Sequence, residues 1–243
     1  MAFRTENNVA SQLAVALAGA ITTGEFSLMY GRRQVADLNA NTGEVEFQGG
    51  PPSVISGIVS TGNGTSFYGH ATVGTTWAAS VTGALESTPG VWSWRALLGL
   101  DGQLAIMDAP DDMNEGWTPF LLSPLDQTAF AVTTLLFGSN GRESGPHDFA
   151  AIRLWDRARD LTALLNERAS DVALSSTGLL LDKLGTGANL SAALAAGTGT
   201  MTTGGTVVLN ADLPSTIGSV PTPTGLIRPA LNAGYSTLSG YLQ

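Results

Sequence analysis

Cysteine is absent from all 243 residues, which removes disulfide frameworks, thiolate metal sites and thiol nucleophiles from consideration. Charge is scarce too. Charged side chains make up only 13% of the chain, too few to give many amphipathic helices a solvated face. Eleven basic residues against twenty acidic ones leave a net charge of −9, which argues against nucleic acid or an anionic membrane surface as a partner. No apolar run approaches the length of a bilayer span, so membrane insertion is not expected. Histidine occurs only at positions 70 and 147. The chain has no G-x-S-x-G elbow to partner either one and no G-x-x-x-x-G-K-[ST] loop to hold a nucleotide.

What is abundant is small. Glycine alone supplies 30 residues, and alanine, threonine and serine are plentiful, a composition suited to short strands and tight turns. The length fits one large β-domain or a medium domain with an appendage. Leu13 to Ala20 reads as a buried first strand rather than a leader core, because one Arg and one Glu precede it instead of a basic cluster. Phe26, Leu28 and Tyr30 alternate with other residues along a second strand. Val45 and Phe47 alternate with Glu44, Glu46 and Gln48, which predicts a half-exposed strand with its carboxylates on the wet side.

Asp101-Gly102 separates two apolar runs, Val91 to Leu100 and Gln103 to Met107. Both central residues of a type I′ turn need positive φ, so this dipeptide predicts a hairpin. An acidic loop over 108–118 and a strand over 128–137 follow. Ile152 and Leu154 then fall on one strand face, Arg153 and Trp155 on the other. After a turn at 156–159, Asp160 is placed to cap a short helix whose stripe is Leu161, Leu164 and Leu165.

That closing stretch, with Phe149, Ile152, Arg153, Leu154, Trp155, Asp156, Arg157, Ala158 and Leu164, resembles the end of the laminin-G-like, concanavalin A-type lectin and glucanase sandwiches. Ala150 stands where that family usually has Gly, and Arg159 where it usually has Leu. The resemblance implies an all-β antiparallel jelly-roll sandwich over residues 1–171, with one short helix after its last strand. Beyond Asp171 the only charged residues are Asp182, Lys183, Asp212 and Arg228, and Pro214, Pro221, Pro223 and Pro229 stiffen the path. Residues 172–243 therefore read as an extended assembly arm needing another surface for burial, its tip anchored by Tyr235, Leu238, Tyr241 and Leu242.

No catalytic residues are expected. Glu44 and Glu46 lack the third carboxylate that glucanases of this fold carry on one strand. Asp108, Asp111, Asp112 and Glu115 supply oxygens enough for Ca²⁺ without EF-hand spacing, and no other cofactor is implied. Trp92 and Trp94 read as core. Trp77 and Trp117 sit among polar, turn-forming residues, where a ring could stack on a glycan or a partner. Asn63-Gly-Thr65 and Asn189-Leu-Ser191 match the N-glycosylation pattern. The functional expectation is a non-enzymatic structural protein of a phage-like virion, a fibre, spike or decoration subunit whose partners are its own copies and neighbouring virion proteins. The alternative is an adhesin at a cell surface or outside the cell that binds host glycans, with a glycoside hydrolase as a third reading.

Overall fold

The computed structural model describes residues 1–8, 10–36, 42–49, 54–61, 66–73, 76–82, 88–124, 131–138 and 145–219. In chain order its strands are β1 (Ala2–Thr5), β2 (Gln12–Ile21), β3 (Phe26–Gln34), β4 (Thr42–Gln48), β5 (Val54–Thr61), β6 (Ser66–Val73) and β7 (Thr76–Thr82). They continue as β8 (Ser93–Leu100), β9 (Gln103–Pro110), β10 (Thr118–Pro124), β11 (Val132–Phe137) and β12 (His147–Trp155). After helix α1 (Leu161–Glu167) come β13 (Leu179–Lys183), helix α2 (Leu190–Ala195), β14 (Thr200–Gly204) and β15 (Val207–Asn210).

Two antiparallel sheets form an all-β jelly-roll sandwich. The first sheet, A, runs β10-β9-β8-β3-β12-β1-β15, with β13 also paired to β12. The second, B, runs β14-β2-β11-β4-β5-β6-β7. Period-two alternation sends Phe26, Leu28, Tyr30, Phe149, Ile152 and Leu154 from sheet A inward against Leu13, Val15, Val45, Phe47, Leu135 and Phe137 from sheet B. Sheet A buries its other face as well. Trp94, Ala96, Leu98, Met107 and Trp155 point outward beneath Leu161, Leu164 and Leu165 of α1, making a second core. Sheet A is therefore the middle layer of three.

The local signals appear where their chemistry predicts. Leu100 pairs with Gln103 across Asp101 and Gly102, which take φ 52° and 71°. Asp160 caps α1, its Oδ1 accepting from the Ala163 amide at 3.0 Å. Arg153 ties this corner together. It is fully buried, donates to Asp182 at 3.0 Å and binds the carbonyls of Glu167 and Ser170 at the end of α1. A bulge in β12, with Ala151 at φ 47°, lets Ala150 and Ala151 both join the outer packing while Phe149 and Ile152 stay inward.

The boundary at 171 does not hold. Strand β13 lengthens sheet A beside β12, β14 extends sheet B beside β2, and β15 extends sheet A beside β1. Between them α2 plugs the side of the sandwich, where Leu181, Ala193, Met201 and Val207 enter the inner core. Lys183 donates to the Leu194 and Ala196 carbonyls at 2.8 Å each, satisfying the end of α2. Up to Ser219 this segment is low in charge because it is part of its own domain, not because it waits for a neighbour. Residues 220–243, and with them Tyr235, Leu238, Tyr241 and Leu242, lie outside the described residues.

Candidate functional site

The densest chemistry lies between the sheets. Tyr30 on β3, Arg95 on β8 and Asp108 on β9 are register partners on the inner face of sheet A. Arg95 grips Asp108 with two bonds of 2.6 Å and donates to Glu44 of the opposite sheet at 2.8 Å. The Tyr30 hydroxyl donates to the other Glu44 oxygen at 2.9 Å, and Arg32 lies 3.5 Å from the same carboxylate. All five side chains are buried.

Two guanidinium groups thus face two carboxylates in a sealed, balanced cluster. Burial pushes the Glu44 carboxyl up, but Arg32 and Arg95, helped by His147 and the Tyr30 hydroxyl, outweigh it and hold the group below its ordinary value. Burial, with Glu44 beside it, drives the Tyr30 phenol well above its ordinary value. His147 completes the cluster's rim. Desolvation pushes its pKa down to about 4, so it is neutral near pH 7. An ionised, bridged and buried carboxylate can neither donate a proton to a leaving group nor reach a glycosidic bond. Its chemistry is cohesion.

The wet-side expectation for Glu44 is therefore corrected. The pairing of β4 with β5 steps from Gly43–Val59 to Val45–Ile58, leaving Glu44 as the extra residue of a bulge. A bulge puts two neighbouring side chains on one side, so Glu44 joins Val45 in facing inward. Glu46 stays on the outer face, accepting from Gln48 at 2.9 Å, yet it is only 4% exposed.

The acidic loop is built around a cation that the chain supplies itself. The buried Arg168 donates to the carbonyls of Pro110 at 3.0 Å, Asp112 at 3.4 Å and Glu115 at 2.9 Å, with its guanidinium 5.5 Å from the Trp117 ring centre. Asp108 belongs to β9 and is held by Arg95. Asp111 accepts from the amides of Ser215 and Thr216, and Asp112 from Asn114. Among the described residues no three acidic or histidine side chains converge as a metal site. Trp117 is corrected as well: it is fully buried under α1, its Nε1 donating to the Leu161 carbonyl at 3.2 Å. Asn189 caps α2 through the Ala192 amide. The backbones of Trp77 and His70 lie on β7 and β6 of sheet B, their side chains outside the described residues, as is Asn63.

Sequence reasoning named Arg153 only as a motif residue and passed over the buried pairing of Arg32, Arg95, Arg153 and Arg168. Their signal was present, since Arg95 and Arg153 each interrupt an apolar strand in a chain with only eleven basic residues. A base placed there needs an internal partner.

Known proteins resemble this chain in architecture alone. No protein-family model matches it, and no curated protein does. Among solved structures, the SAP-like pentraxin of Limulus polyphemus, a heptamer, is 11% identical, with a TM-score of 0.51 over 68% of this chain and 80% of that one. The galectin LEC-6 of Caenorhabditis elegans is 10% identical over 60% and 93%, with a TM-score of 0.40. A Trypanosoma rangeli sialidase is 9% identical, with a TM-score of 0.43; the match covers 68% of this chain and 32% of that enzyme. The fold is that of the lectin-type sandwiches. The virion role expected from the sequence draws no support from these likenesses.

Among the described residues the two broad faces differ in exposure: on the outer face of sheet B, Leu136 and Glu46 are buried while β2 and β14 carry exposed residues. Sheet A is covered outside by α1 and by residues 211–219, where Thr216 accepts from Trp94 Nε1 at 2.8 Å and donates to Asp111 at 2.8 Å. On the outside of sheet B, Thr200, Ala16, Thr134 and Gln48 form one row across four strands. Thr202, Ala14, Leu136 and Glu46 form the next. Ala16, Thr200 and Thr202 are exposed, and no described element lies over them.

Proposed function

We propose that this chain is a non-hydrolytic, lectin-like module that binds carbohydrate on the outer face of sheet B. The observation that carries this reading is the division of faces: sheet A is covered on both sides over β8, β3 and β12, while Ala16 on β2 and Thr200 and Thr202 on β14 are exposed on the outer face of sheet B. Thr134 and the half-buried Gln48 border that surface and offer a hydroxyl and an amide to a sugar diol. The β7 edge of the same sheet carries Trp77, a candidate stacking residue. The lectin-type fold agrees with this reading, and the sealed state of Glu44 and Asp108 speaks against glycoside hydrolysis. Such a module would act where glycans are displayed, at a cell or particle surface.

A glycan array probed with and without EDTA, alongside an assay for released reducing sugar, tests the reading. Binding to a defined subset of glycans, indifferent to EDTA and without sugar release, is expected. Release of reducing sugar would reassign the chain as an enzyme.

A further inference from the structure

Four consecutive residues of β14, Thr200 to Thr203, line a groove of ≈ 540 Å³ together with Ser191, Leu194 and Ala195 of α2. Successive side chains on a strand point to opposite faces, so a groove that touches all four runs along the strand's edge. Strand β14 ends sheet B on that side, and among the described residues nothing pairs with its far edge. An edge strand turns half of its amides and carbonyls away from its partner. They supply the groove with donors and acceptors of peptide geometry.

Helix α2 is a fixed wall. Ala193 is buried in the inner core, Asn189 caps the first turn, and Lys183 ties down the Leu194 and Ala196 carbonyls. Gly199, at φ 80°, makes the tight entry into β14, where a Cβ would lie 2.6 Å from the Leu180 carbonyl oxygen. Leu194, Ala195 and Met201 give the groove its apolar part, and Ser191, Thr200 and Thr203 bring hydroxyls. Among the described residues that line it, none is charged, and the Lys183 ammonium is committed to the end of α2. An acidic sugar finds no counter-ion here.

A ligand suited to this groove is neutral and joins a peptide-like amide to a small apolar tip. The acetamido group of an N-acetylhexosamine is such a group. Its N–H and C=O can pair with a strand edge as one more peptide unit would, leaving its methyl for the apolar wall. Resting on the carbohydrate reading above, we propose that the groove between α2 and β14 is an acetamido subsite. It selects neutral N-acetylhexosamine units among glycans held on the outer face of sheet B, with the methyl against Leu194 and Met201. Thr200 and Thr202 join the two regions, since both line the groove and both are exposed on that face.

Titration calorimetry on the full chain tests this. Methyl glycosides of N-acetylglucosamine, N-acetylgalactosamine and N-acetylmannosamine are compared with their parent hexosides, which carry a hydroxyl in place of the acetamido group. At least one N-acetyl glycoside should bind about tenfold or more tightly than its parent. Ala195→Arg puts a long cation into the groove from an exposed position at the end of α2, where a cation is tolerated. With its melting temperature unchanged, this variant should lose the preference. Ala192→Arg, exposed on the same helix and outside the groove lining, should keep it. Equal binding of both sugar sets would overturn the subsite and leave the carbohydrate reading standing, whereas no binding of any sugar would overturn both. A preference that survives Ala195→Arg would also overturn the subsite. So would an uncharged acetylated tripeptide that binds more tightly than the sugars, because the edge would then be an acceptor of strands.

Discussion

At Glu44 one carboxylate holds two guanidinium groups and a phenol together between the sheets. Removing its charge while keeping its shape leaves Arg32 and Arg95 in excess inside the protein. Glu44→Gln is therefore expected to cost about 3–5 kcal/mol, the usual penalty for breaking a buried pair from one side. Denaturant melts should show this. The amino-acid alternation around Glu44 predicts no such effect; wild-type stability in the variant would return the residue to the surface. His147 adds a pH dependence. Its pKa in the folded chain is about 4, against an ordinary 6.5, so the unfolded chain takes up the proton first as pH falls. Its contribution is complete above about pH 6.5 and is lost between there and pH 4, on the order of 3 kcal/mol in all. Glu44 and Asp148, both held below their ordinary values, extend the loss to lower pH. Melting temperature should fall across pH 6.5 to 4, and His147→Phe should flatten that part of the curve. A flat native profile there would show that His147 is not sealed.

Strand β12 with α1 is the element on which the layers depend, because it feeds two cores at once. Leu154 packs inward between the sheets, whereas Trp155 packs outward beneath α1 and donates to Ser176 at 2.8 Å. Leu154→Ala and Trp155→Ala should each destabilise by roughly 2–5 kcal/mol. They should differ in kind: Trp155→Ala should also speed proteolysis within α1, and unchanged melting in both would displace β12 from the centre. This element was legible from its residues because its signals are local: a period of two, an aspartate cap, a leucine stripe. The Asp101-Gly102 hairpin was legible for the same reason. Strands β14 and β15 were not. Neither Thr-Met-Thr-Thr-Gly nor Val-Val-Leu-Asn has an alternation that separates strand from arm, and their pairing with β2 and β1 spans nearly the whole chain. Glu44 was misplaced because a bulge breaks the period, and Trp117 because polar neighbours in sequence conceal a ring folded beneath a distant helix. The acidic loop misled for a related reason. Its oxygens do meet a cation, but that cation is Arg168, more than fifty residues away.

For the whole molecule, the three-layer arrangement of the described residues is what points the proposed function to one sheet. Sheet A holds the charge cluster inside and α1 outside, and the proposed ligand face is therefore the outer face of sheet B. Ala16 lies on β2, next to the β14 edge of that face, exposed between Thr200 and Thr134 in register. A large charged side chain there fills the face without touching either core. The most direct test of the account is therefore glycan-array binding by the native chain and by Ala16→Arg, with folding of the variant confirmed by its melting temperature. The account predicts that the native chain binds a defined subset of glycans and that the folded variant loses that binding. A native chain that binds no glycan, or a variant that binds as well as the native chain, would contradict it.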